Sequence, residues 1–153
     1  MDKQVVEILN KINFVERYHE LCDQYAFDLK ESFKNYDNQR VLEILHEVGY
    51  MAPKHMKREN FFQSVKKVAS FRFEHKIKTK SGIVDLIWDV MKDNKYYMGN
   101  RFSNLERFFY HPTEMHPLPT FRNYEDLRGI LTIAFQMHED MTTEFLKVHG
   151  DST

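Results

Sequence analysis

The sequence predicts an α+β fold in which N-terminal helices and one long C-terminal helix enclose a three-stranded antiparallel β-meander. Three observations carry this. Apolar residues recur every three to four positions over the first third of the chain, switch to strict alternation at Phe71, and return to helical spacing from Leu127. The 153 residues suit one domain, 1–153, divided into a helical layer over 1–69, the meander over 70–102 and a closing helix over 123–149.

Val5, Ile8, Leu9 and Ile12, followed by Val15, Tyr18, Leu21, Cys22, Tyr25, Leu29, Phe33 and Tyr36, form one stripe at helical spacing. Asn13 with Glu16 reads as a capping box, which places a break near Asn10 to Asn13; one uninterrupted long helix is the alternative. Asp37 or Asn38 caps a second helix carrying Val41, Leu42, Ile44, Leu45 and Val48, and Gly49 and Pro53 stop it. Asn60 with Gln63 reads as a further capping pair, opening a helix that buries Phe61, Phe62, Val65, Val68 and Ala69.

From Phe71 the period is two. Phe73, His75 and Ile77 alternate with Glu74, Lys76 and Lys78, the signature of a strand with one wet face. Ser81-Gly82 supplies a two-residue hairpin loop into a second strand, Ile83 to Met91. With that loop, Phe73 faces Val90, His75 faces Trp88 and Ile77 faces Leu86 on the inner side, while Glu74 faces Asp89 and Lys78 faces Asp85 on the outer. A one-residue slip would set Phe73 against Asp89 and Ile77 against Asp85, so the apolar pattern selects the first register. Asp93-Asn94 makes the next tight turn, into Tyr96 to Phe102, and sets Gly99 opposite Trp88, where a missing side chain leaves room for the indole.

Ser103 with Glu106 caps a short helical turn, and three prolines forbid regular structure over His111 to Thr120. Asn123 caps the last helix, with Glu125 and Asp126 at its positive end. Its buried stripe runs Leu127, Ile130, Leu131, Ala134, Met137, Met141, Phe145 and Val148.

Composition removes several classes of function. Lys and Arg number 22 against 23 Asp and Glu, a formal charge of −1, so no global field attracts nucleic acid or an anionic membrane. No run of 18 apolar residues offers a membrane span. The one cysteine, Cys22, sits in an apolar helical pattern and reads as a buried thiol of a cytoplasmic protein.

Motifs for chemistry are sparse. Eight histidines raise the question of a metal, but no His-Glu-x-x-His spacing occurs, so no cofactor is expected and the chain does not read as an enzyme. The alternative, a metal-binding protein or enzyme, needs His111, His116 and His138 to converge. His75 beside Trp88 reads as a satisfied core residue. Lys54 to Arg58 with Lys66-Lys67 reads as a solvated helix end rather than an RNA surface. A homodimer or adaptor through the aromatic N-terminal helices is a third possibility. The outer sheet face mixes Ile87, Met91 and Met98 with Glu74, Lys76, Asp85 and Asp89; either the C-terminal helix or the Pro-rich loop covers it, or it is a docking surface.

Phe71-Arg72-Phe73, Lys80-Ser81-Gly82, Asp85-Leu86-Ile87-Trp88, Gly99 and the run Pro119 to Leu127 resemble the C-terminal half of small α+β immunity proteins from bacterial toxin–immunity pairs. The resemblance spans about half the chain. It implies a non-enzymatic cytoplasmic protein that binds a cognate toxin domain and occludes its active site. A basic nuclease as partner would favour clustered acid, which points to Glu74, Asp85 and Asp89, with Met91 and Met98 as apolar contacts.

Overall fold

The computed structural model describes residues 3–109 and 116–149. Helices α1 (Lys3–Lys11), α2 (Phe14–Gln24) and α3 (Asn38–Val48) precede a five-stranded antiparallel sheet. Its strands β1 (Lys54–Met56), β2 (Phe61–Val68), β3 (Phe71–Lys80), β4 (Ile83–Lys92) and β5 (Lys95–Arg101) pair in sequence order. Helix α4 (Phe102–Arg107) and the 25-residue α5 (Tyr124–Val148) follow.

The break between the first helices falls where expected, by a different device. Asn13 takes the left-handed conformation, φ 58 and ψ 46, which asparagine tolerates better than most residues. Its side chain makes no cap to the backbone and instead donates to Glu16 Oε2 at 2.8 Å. The stripe does not continue to Tyr36. Helix α2 stops at Gln24, and the following backbone bonds to distant segments: Thr120 N donates to Tyr25 O at 2.9 Å and Phe33 N to Phe121 O at 2.9 Å. Leu29, which the stripe would bury, is 57% exposed.

The expected helix over 60–69 is strand β2, and Lys54–Met56, read as part of a helix end, is strand β1, so the meander has five strands rather than three. Its buried positions are Phe62 and Ser64. Ser64 satisfies its hydroxyl by donating to Met51 O at 2.7 Å, so a polar residue occupies an inward position and disguises the alternation. Asn60 and Ala69, at φ 55 and 54, turn the chain at either end.

The β3–β4 register is the predicted one, with Phe73 opposite Val90, His75 opposite Trp88 and Ile77 opposite Leu86. Ser81 and Gly82 (φ 52 and 83), and Asp93 and Asn94 (φ 51 and 64), are the two turns, each with the paired positive φ values that match the twist of a hairpin. The β4–β5 register departs from expectation. Met91 faces Tyr96, but Val90 faces Met98, so Tyr97 is an extra residue and every later side chain changes face. Gly99 therefore lies opposite Asp89, and Asn100 lies opposite Trp88. Met98 is 3% exposed on the inner face and is not an outer-face contact.

Helix α5 lies across the inner face, as its apolar stripe requires. Asn123 caps it by accepting from Asp126 N at 2.8 Å. It packs Leu127, Ile130, Leu131, Ala134, Met137, Met141 and Phe145 against Phe73, Leu86, Trp88 and the buried sides of α1, α2 and α3. A polar seam runs through this dry interface. The Trp88 indole donates to Thr142 Oγ1 at 3.2 Å, and His75 Nε2 meets the same oxygen at 2.9 Å. Thr142→Val would strand both groups in the core, and an unmet buried polar group costs about 1–3 kcal/mol. A loss of about 2–4 kcal/mol in urea denaturation is expected, and a change under 0.5 kcal/mol would contradict the bridging role.

Candidate functional site

The two faces of the sheet differ sharply. The inner face is dry, whereas the outer face carries no fully buried side chain, and among the described residues no helix buries it. Leu118, from the Pro-rich segment, lies beside its Ile83–Asp85 end. From β2 to β5 it presents Lys67, Arg72, Lys76, Lys78, Lys80 and Arg101 against Glu74, Asp85 and Asp89, six cations to three carboxylates. Phe61, Val65, Ile83, Ile87, Met91 and Tyr96 stand between them.

Glu74 and Asp89 are engaged within the face, whereas Asp85 Oδ1 is buried without a hydrogen-bond partner among the described residues. Glu74 accepts from Arg72 Nε at 2.9 Å and lies 3.3 Å from Lys76 Nζ. Lys76 also donates to Asp89 at 3.0 Å and stands 5.2 Å above the Phe61 ring. Burial opposes the charge on Lys76, yet Asp89 and Glu74 push its pKa up on balance. Asp85 lies 3.6 Å from Arg101; burial raises its pKa against the pull of Arg101 and Lys78. Glu74, Asp85, Asp89 and Met91 thus share the outer face as expected. They do not form an acidic patch, because the intervening strands supply twice as many cations. A groove of about 460 Å³ runs over this face, lined by Glu59, Phe61, Lys76, Lys78, Ile87, Asp89, Tyr96 and Arg101. Tyr96 Oη donates to Gly99 O at 2.5 Å and holds the bulged strand beside it.

The histidines separate into two groups. His138 is buried on α5, with Nδ1 2.8 Å from Tyr50 Oη and Nε2 2.9 Å from Ile87 O. The carbonyl can only accept, so His138 carries its proton on Nε2, and Tyr50 donates to Nδ1. Both nitrogens are occupied, and His138 is not available as a ligand beside His116. His75 stacks on it at 4.6 Å between ring centroids. Burial holds both histidines below their ordinary pKa, His138 at about 4. Cys22 is likewise buried, and burial pushes its thiol up to about 12, which removes it as a nucleophile near neutral pH. His111 lies outside the described residues.

His116 instead meets Glu106 on α4 and His19 on α2. Its Nε2 is 2.6 Å from Glu106 Oε1, and His19 Nε2 is 3.0 Å from Glu106 Oε2. The Glu106 side chain is only 5% exposed. A pocket of about 320 Å³ opens beside it, lined by Asp85, Arg101, Ser103, Asn104, Arg107 and Leu118 as well as Glu106 and His116. Nothing in the spacing of residues 19, 106 and 116 reveals this grouping, because three separate elements bring the side chains together.

No protein-family model matches the sequence, and no curated protein or solved structure matches it either. Among the described residues no helix is long and apolar enough to cross a membrane.

Proposed function

We propose that this chain is a non-enzymatic, cytoplasmic protein-binding inhibitor of the immunity kind, which neutralises a cognate toxin domain by covering its active site with the outer face of the sheet. The observation that carries this reading is the open face itself: five strands wide, apolar at intervals, and charged in a fixed pattern. Apolar groups set among ordered charge are the composition of a recognition surface rather than of a solvated sheet back.

The charge on that face selects the partner. Glu74 and Asp89 are tied to Arg72 and Lys76, while Lys67, Lys78 and Lys80 make no ion pair among the described residues. The face is complementary to an acidic surface, so the toxin domain is expected to dock through acid rather than through the basic groove of a nuclease. Phe61, Ile87, Met91 and Tyr96 supply the apolar anchors.

The partner to test is the C-terminal domain of an exported protein encoded beside this chain. Lys78→Glu with Lys80→Glu is expected to weaken its complex at least tenfold and to flatten its salt dependence. Stability should move by no more than about 0.5 kcal/mol, as for surface changes. Unchanged affinity in the double variant would remove the outer face from the interface.

A further inference from the structure

We propose that His19, Glu106 and His116 form a binding site for one divalent transition-metal ion of the zinc class. One ligand atom from each residue lies within 4.8 Å of the other two. Both imidazoles approach the carboxylate through Nε2, at 3.0 and 2.6 Å. Zinc bonds of about 2.0–2.2 Å to nitrogen and oxygen separate neighbouring donors by a little over 3 Å in a tetrahedral shell, so small side-chain rotations admit the ion.

A second observation points the same way. Glu106 is almost fully buried between the two imidazoles: Oε1 is hydrogen-bonded to His116, while Oε2 faces His19 Nε2 at 3.0 Å without an aligned hydrogen bond. A carboxylate buried this far is costly unless positive charge faces it, and a bound ion would supply that charge while both imidazoles stay neutral ligands. The donor set selects the ion. Two imidazoles and one carboxylate suit zinc, nickel or copper, whereas calcium and magnesium prefer shells of oxygen. The Glu106 and His116 side chains also line the 320 Å³ pocket, so a fourth position faces solvent. An ion there would join α2, α4 and the Pro-rich segment that precedes α5, with water or a ligand from a docked partner completing its shell.

The test uses the full chain, stripped with a chelator and challenged with zinc chloride. About one equivalent should remain after desalting, with a melting temperature that rises with zinc concentration. Cobalt(II) should give the visible absorption of a four-coordinate ion, a readout that depends on no variant. His19→Ala and His116→Ala should each weaken zinc binding at least tenfold, with the metal-free melting temperatures confirming that both variants fold. Less than about 0.1 equivalent bound, or equal zinc affinity in the His19→Ala, His116→Ala double variant, would overturn the site and leave a buried carboxylate held by two imidazoles.

Discussion

Acidification from pH 6.5 to about 4 is expected to remove about 3 kcal/mol of stability through His138 alone, and more through His75. Burial holds the folded-state pKa of His138 near 4, while the unfolded chain restores the ordinary value of 6.5. Between those values the unfolded state binds a proton that the folded state refuses. Stability is therefore fully present above pH 6.5 and declines as pH falls toward 4. The hydrogen bonds explain the refusal, since Tyr50 and Ile87 satisfy the neutral ring completely and leave no acceptor for a second proton that does not disrupt Tyr50. The charges facing His75 are Lys66, which opposes its protonation, and Glu139, whose carboxylate is 4.0 Å from Nδ1. Urea midpoints across this range should fall with a slope of more than one proton, and His138→Gln should reduce it by about one. A flat profile above pH 5 would contradict a buried neutral pair.

Replacing Gly99 by alanine is expected to cost about 4 kcal/mol, the sum of a backbone penalty and a steric one. Gly99 has φ 119, which side chains with a Cβ rarely adopt, and an added methyl would stand 2.0 Å from Trp88 O and 2.9 Å from Asp89 Cα. Neither contact is with a flexible side-chain end, so strand β4 would have to move. The change should lower the urea midpoint severely, or prevent folding in a protein of ordinary stability. Met98→Lys checks the same bulge independently, because the bulged register buries position 98 beneath Val90 and the unbulged one would expose it. A soluble Met98→Lys variant of undiminished stability would show the bulge to be absent.

These two sites mark how far the fold was legible in the sequence. The β3–β4 register could be read because Phe73, Ile77, Leu86 and Val90 leave only one alignment that buries them all, and Ser81-Gly82 fixes the loop length. The Asn123 cap of α5 was equally plain, while the cap of α3 lay between Asp37 and Asn38 and falls to Asp37, which accepts from Gln39 N. The bulge was not legible, because Tyr96, Tyr97 and Met98 are all acceptable on either face and one inserted residue leaves no compositional trace. Strand β2 was missed for a related reason: Phe61, Phe62, Val65 and Val68 satisfy helical spacing, and the inward Ser64 breaks the alternation that would have opposed it. At the candidate docking face, Glu74, Asp85, Asp89 and Met91 could be placed from alternation alone. The same alternation already sets Arg72, Lys76, Lys78 and Lys80 against those three acids, whereas Lys67 and Arg101 were hidden, the first in a strand that reads as a helix and the second in a strand whose register shifts. The cluster of His19, Glu106 and His116 depends on three elements meeting, which one sequence does not encode locally.

The outer face of the sheet is the centre of the functional account, and a growth assay tests it most directly. Cells producing the C-terminal domain of an exported protein encoded beside this chain, the partner proposed above, are compared with and without this chain, and with its Lys78→Glu, Lys80→Glu form. Protection by the native chain, lost in the double variant although the protein accumulates folded, is the predicted result. No protection by the native chain, or full protection by the variant, would contradict it.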